Sequence, residues 1–569
     1  MKRDLAARLS ELREARSQYG PSCAAGVEKL LASLRSYTPA DAESLIEFHE
    51  TLLFLRAFPQ SPKVIILTEA LLGNIGPQVR RLREADAEID LFDSEQFSGI
   101  AGTAIRDTFT YEVARWLASR FPRELRVEWE LGEQSRQMSS SLPHLIPLLA
   151  DDCLVEADTP YLDWLSSAAG GADGILFWLL RRLENSPRTI LEKTAWYDAL
   201  KIEIAWELGD SSASRTRARR NPRDFYYHKT PLIRRNQVSL EMELASVPLP
   251  VRKLSRREGE QVLDFVRAAL TVRYRELYGT TRGDPRQVLE ADVGRGVHIF
   301  LWGLPPERRL PLRAYHAGLT VKNGVPINYI EGISLCEWME VGFNTFYAFR
   351  DGESAWIYAK VLRLLHQLTN VTCFSVYPYQ LGEGNEEAIK SGAFWFYRKL
   401  GFRPGRPELL ALTQREEGRI ARAPGYRTPA RTLRKLAAEH VFYEFGDGPR
   451  GLWDRFSIRN IGFAVQRRMA QKFKGDPGKM RQQTSAWLAR ALRVDLDQWS
   501  ELERSAFAEF ALVLAQVPEL EHWIKVEKHG VAEIIRAKVG ATDAEYLRLM
   551  QGHVKLKEVM LRLGSLDQG

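Results

Sequence analysis

Several groups of residues in this chain have the types and spacing that chemistry needs. Phe349-Arg350-Asp351-Gly352-Glu353-Ser354-Ala355 joins an apolar and aromatic run, Val341 to Phe349, to a helical pattern that begins at Ala355. Strand, short glycine turn and helix N-terminus is the arrangement that presents backbone N–H groups to phosphate oxygens. Glu331, Glu337 and Glu340 lie on or beside strand-like runs, where a carboxylate can take a proton from a nucleophile. Ala393 and Tyr397 stand four apart and share one helical face. The same stretch closes on Lys399-Leu400-Gly401-Phe402, with Gly401 where a helix C-cap favours a left-handed residue. A further group is basic: Arg215, Arg217, Arg219, Arg220, Arg223, Lys229, Arg234 and Arg235, with Phe225, Tyr226 and Tyr227 between them. Cations interleaved with aromatics can hold phosphates and stack bases. The alternative is an arginine-rich connector that closes over an acidic surface or lines a phosphate pocket, and a solvated linker is the expected reading.

The elements that must position these residues follow from pattern. Glu258 to Leu277 has the spacing of a long amphipathic helix, and Val297 to Leu301 that of a strand. Leu312–Val321 and Val325–Ile333 are strand-like runs joined by Lys322-Asn323-Gly324, and Asn-Gly between such runs predicts a hairpin. Ala355 to Leu368 is helical by spacing, and Thr372 to Tyr379 is a β-branched and aromatic strand ended near Pro378. The order from about 250 to 412 is therefore helix, strand, hairpin, strand, helix, strand, helix, strand. A helix between the first two is represented only by Pro285 to Leu289.

This order, with Ala393-x-x-x-Tyr397-Arg-Lys399-Leu-Gly401-Phe402 at its end, resembles the GCN5-related N-acetyltransferases over less than a third of the chain. The resemblance implies acetyl-CoA or another acyl-CoA as co-substrate and an amine as acceptor. It implies that Tyr397 protonates the departing coenzyme A thiolate, and that Phe349, Arg350, Gly352, Ser354 and Ala355 form the pyrophosphate loop. That loop departs from the family's Gln/Arg-x-x-Gly-x-Gly/Ala pattern. Phe349 stands at the Gln/Arg position, while a register starting at Arg350 keeps the basic residue and Ala355 but loses the glycine. Acyl transfer to an amine also needs a base for the amine proton, and Glu340, nearest the start of the phosphate-side strand, is the first choice. A second reading stays open: a non-catalytic protein that keeps the fold as a binding module for nucleic acid or a partner protein.

At 569 residues the chain is too long for one core. The expected fold class is α+β: a central mixed β-sheet with packed helices at 250–412, flanked by mostly α-helical domains at 1–240 and 413–569. Hydrophobic residues are 45% and charged residues 27%, and the formal charge is +7, values of an ordinary soluble protein. No apolar run reaches the length of a membrane span, so no membrane partner is expected. Cys23, Cys153, Cys336 and Cys373 are far apart and make no metal-spaced pair, as in a cytoplasmic protein with reduced thiols. The histidines form no metal or triad spacing, and no metal is expected. In the N-terminal region, Ser94 to Thr103 is a loop whose Gly99 and Gly102 can let a backbone approach a ligand, with Thr103 or Asp107 capping the next helix. Acceptor identity and oligomeric state are not legible.

Overall fold

A computed structural model describes residues 2–85, 90–129, 138, 141, 144–146, 161–222, 224–423 and 425–565. The chain is a mixed α+β protein that divides into two compact units, residues 1–220 with 264–281, and residues 221–263 with 282–569. The division falls inside one helix, Arg256–Thr271.

The first unit is mostly helical. Its helices include Ala42–Ala57, capped by Asp41 accepting from the Ser44 N–H, and Pro62–Gly73, capped by Ser61. It also holds an antiparallel sheet of β1 (Ala104–Asp107), β2 (Leu125–Glu128) and β3 (Glu203–Glu207), with β3 in the middle. Helical spacing in the sequence gives no sign of this sheet, because each strand is only four or five residues long. Ile105, Tyr111, Leu117, Leu179 and Trp206 share its core. One expectation needs correction here. Thr103 and Asp107 do not cap a helix: Ala104–Asp107 is strand, and the helix begins at Tyr111 after Thr110. Gly99 and Gly102 do have positive φ, 82° and 85°, but the close approach they permit is to the protein itself. A Cβ on Gly99 would lie 2.5 Å from the Val272 carbonyl oxygen, and one on Gly102 2.9 Å from that of Gly76.

The second unit is built on a nine-stranded mixed sheet. In chain order its strands are β4 (Val251–Lys253), β5 (Leu289–Gly294), β6 (Val297–Trp302), β7 (Ala314–Lys322), β8 (Val325–Leu335), β9 (Trp338–Thr345), β10 (Cys373–Val376), β11 (Arg403–Pro404) and β12 (Val441–Glu444). From β4 to β9 each strand pairs antiparallel with the next. Asn323 and Gly324, with φ of 48° and 80°, make the tight turn between β7 and β8 that the sequence predicts. After β9 the chain crosses through α1 (Ser354–Thr369) and returns as β10, parallel to β9. It then runs through α2 (Ala393–Arg398) to the edge strand β11, and β12 inserts between β11 and β10. That last strand comes from the region after 413, where the spacing predicts only helices.

Alternation along β9 divides the unit into two faces. Val341 and Phe343 point towards α1 and α2: the Phe343 ring lies 4.9 Å from Tyr358, which lies 5.7 Å from Tyr397. Glu340 and Gly342 point to the other face. At the far end of the sheet, Trp338 stacks on Trp453 at 5.5 Å and meets Phe456 at 5.3 Å. These rings join Phe507, Phe510, Leu514 and Tyr546 in one core with the C-terminal helices. Burying each such side chain contributes about 2–3 kcal/mol, which fixes the last helices onto the sheet that carries the candidate site.

Candidate active site at the strand fork

The pairing of β9 with β10 stops at Glu340 and Ser375, yet β9 continues to Thr345. Beyond Glu340 the two parallel strands therefore part, and the backbone of β9 keeps its partner only on the β8 side. Gln380 reaches into this fork. The Phe343 N–H donates to its Oε1 at 3.4 Å, and the Tyr397 hydroxyl donates to the same oxygen at 3.2 Å. Gly342 leaves the room: a Cβ there would sit 3.0 Å from Gln380 Nε2. A strand N–H and a phenol thus converge on one carbonyl oxygen. Tyr397 is 5% exposed and burial pushes its pKa well up, so it holds its proton at neutral pH. Gly401, with φ of 104°, ends the turn that follows α2, and a bond from the Phe402 N–H to the Tyr397 carbonyl fixes that turn.

On the opposite face lie Glu340 and Glu331, diagonal neighbours on β9 and β8 since Glu340 pairs with Ile333 and Gly342 with Glu331. The Tyr315 hydroxyl donates to Glu331, whose pKa is raised by burial and by the Glu340 charge, with the Tyr315 bond opposing. Glu340 Oε2 bonds His440 Nε2 at 2.9 Å. His440 immediately precedes β12, and its ring packs edge-on to the exposed Tyr377 at 5.4 Å. Arg313, half-buried, has its pKa lowered by burial while Glu340 acts against the shift. Glu337 is elsewhere: it sits in the β8–β9 turn and pairs with Lys557 at 3.1 Å.

The loop before α1 departs from the expected phosphate cradle in its details. Phe349 is buried, 2% exposed, and Ala355 is buried as well. Arg350 is exposed, pairs with Glu387 and covers the Tyr347 ring. The Gly352 N–H is used by the Phe349 carbonyl at 3.0 Å. Ser354 opens α1, and no side chain caps its first turn. Glu353, fully buried at the N-cap, turns away instead to Arg295 at 2.5 Å, Lys322 at 3.7 Å and the Ile233 N–H at 3.1 Å. Glu353 is therefore committed to its own ion pairs and leaves the first turn of α1 without a side-chain cap.

The basic stretch divides by position. In the first unit Arg215 is 3% exposed and binds Glu50 at 2.6 Å, and Arg219 binds Glu69 at 2.6 Å. These side chains close over acidic groups inside the fold. In the second unit Lys229 and Arg234 are exposed, and Tyr226 lies beneath the Arg295 guanidinium at 5.1 Å. Arg223 and Cys153 lie outside the described residues. Cys336 and Cys373 are buried thiols whose pKa burial pushes up. Among the described residues no group of His, Cys, Asp and Glu is placed to hold a metal ion, and no helix is long and apolar enough to cross a membrane.

His440 is the site residue that sequence reasoning missed, while Gln380 belongs to an insertion, Gln380 to Lys390, that by its place between strand and helix could shape the acceptor or cofactor site. Gln380 opens the segment between strand and helix whose role spacing cannot assign, and His440 is 100 residues from its partner Glu340. Comparison of the chain with family models, with curated proteins and with solved structures gives no match.

Proposed function

We propose that this chain is an acyl-CoA-dependent N-acyltransferase, moving an acetyl or other acyl group from coenzyme A to an amine. One observation carries the reading: a backbone N–H of β9 and the Tyr397 hydroxyl converge on a single carbonyl oxygen inside the fork. A thioester carbonyl held there meets an N–H that polarises it, and the hydroxyl lies within reach of the leaving sulfur. The same burial that raises the phenol's pKa raises the proton affinity of a thiolate formed beside it, so proton transfer is not opposed by desolvation of the acceptor alone. The element order of the second unit also supports the acetyltransferase resemblance: an antiparallel run, a crossover helix, a parallel strand that parts from its neighbour, and a second helix carrying Tyr397. On this reading the uncapped first turn of α1 takes the pyrophosphate, with Gly352, Ser354 and Ala355 shaping the loop and Arg350 at its edge.

A non-catalytic binding role is favoured by a different observation. Gln380 already satisfies both donors of the fork, and Asp351 and Glu353 bring negative charge to the start of α1. Thiol release from acetyl-CoA in the presence of primary amines separates the two. The enzyme reading expects turnover that falls by about 10²-fold in Tyr397→Phe. Acyl-CoA binding without thiol release for any amine would establish the binding role.

A further inference from the structure

The face of the sheet opposite Tyr397 carries a second set of titratable groups that the fork itself does not use. Glu340 stands at the last paired position of β9, where the strands part, and its carboxylate bonds His440 Nε2 at 2.9 Å. Both side chains are about one quarter exposed, 21% for Glu340 and 27% for His440, so a solute reaches them from that face. Tyr397 approaches the fork from the helix face. The two faces are distinct because Phe343, which contacts Tyr358 and through it Tyr397, is an odd number of residues from Glu340.

We propose that His440 is the proton acceptor for the attacking amine, and that Glu340 is its positioning residue rather than the base itself. The inference rests on the acyltransferase reading and deepens it. With Nε2–H donated to Glu340, the Nδ1 lone pair is the free basic site of the ring. An ammonium group arriving on this face gives one proton to Nδ1. The amine lone pair then forms the C–N bond to the thioester carbon, the C–S bond breaks, and the sulfur takes the proton of the Tyr397 hydroxyl. The amine's second proton leaves to water or to the tyrosinate, which restores the phenol. The amine thus approaches the thioester carbon from the face that carries His440, and the sulfur takes its proton from the face that carries Tyr397. A carboxylate paired to one imidazole nitrogen fixes the tautomer and stabilises the imidazolium that forms.

Around His440, Glu340 comes from β9, Tyr377 from the end of β10, and the Phe442 ring lies 6.1 Å away on β12. Behind Glu340 stand Glu331 on β8 and Arg313 before β7, one adding and one removing negative field. Glu439, next in the chain, is bound by Arg406 at 2.6 Å.

The test compares wild type, His440→Gln and Glu340→Gln in acetyl-CoA binding, in kcat with a primary amine and in the pH profile of kcat/KM. The expected result is unchanged acetyl-CoA affinity in both variants and a loss of kcat of about 10²-fold or more in His440→Gln. Glu340→Gln should lose less in kcat, with the KM for the amine unchanged, because the ring keeps its basic nitrogen and loses only the partner that orients it. Retained affinity also reports that each variant is folded. A His440→Gln enzyme with wild-type kcat and an unmoved profile overturns the proposal while leaving the acyltransferase reading intact. A loss of kcat in Glu340→Gln equal to or greater than that in His440→Gln would make Glu340 the base and overturn it as well. Absence of acetyl-CoA binding by the wild type would remove the reading and the proposal together, an outcome distinct from the other two.

Discussion

Glu331 shows how a single side chain records its surroundings. It is a carboxyl between β-strands, bonded by Tyr315 and facing the negative Glu340, and burial raises its pKa. A raised carboxyl binds its proton more tightly in the folded state than in the unfolded chain. Stability therefore falls as pH rises from about 4.3, the unfolded value, through the raised folded value. Glu331→Gln keeps the acceptor for Tyr315 and removes the charge. Urea unfolding at pH 5 and pH 8 should show the variant gaining on wild type as pH rises. A difference that stays constant between the two pH values would mean that Glu331 does not titrate abnormally. Tyr397 and Glu340, by contrast, are residues that the sequence singles out, one at the end of a helix-to-strand pattern and one on a strand. Which partner each of them has was not visible. Gln380 and His440 are brought in by chain that carries no local signal of its purpose.

The element that matters most is α1 with the loop before it. Helical spacing from Ala355 to Leu368 predicts the helix, and the structure gives Ser354–Thr369, ended by Asn370 in the left-handed conformation at φ 57°. What spacing does not reveal is the anchor of its first turn. Glu353 is fully buried between Arg295 and Lys322, residues of the β5–β6 turn and of the end of β7. Burial lowers the pKa of Lys322 to about 7, with Glu353 acting against that shift. Glu353→Gln leaves Arg295 without its counter-charge, and breaking a buried pair costs about 3–5 kcal/mol. Because Lys322 can shed its proton, the lower end of that range is expected. The measurement is the denaturant midpoint of the variant against wild type. A change below about 0.5 kcal/mol, the range of an unremarkable surface substitution, would contradict the anchoring role.

At the scale of the whole molecule, two units are needed to describe the chain, and the sheet of the second one gathers its strands from residues 251 to 444. Strands β6 to β9, the hairpin among them, and the crossover helix were legible because each has a strong local period or turn signal. Strands β4 and β5 were not, and Leu289, read with a short helix, begins β5. The insertion of β12 was not: four residues, Val441–Glu444, lie in a region of helical spacing, and only pairing with β10 and β11 makes them a strand. The small sheet of the first unit escaped notice for the same reason. The fork is the product of this long-range assembly, since it exists only where β9 outlasts its pairing with β10. Its proposed occupant can be weighed directly by titration calorimetry of the full chain with acetyl-CoA, beside Tyr397→Phe and Gly352→Glu. The account predicts micromolar binding that persists in Tyr397→Phe and is lost in Gly352→Glu, which places a carboxylate at the start of α1. No binding of acetyl-CoA or of longer acyl-CoAs to the wild type, or equal binding in Gly352→Glu, would contradict it.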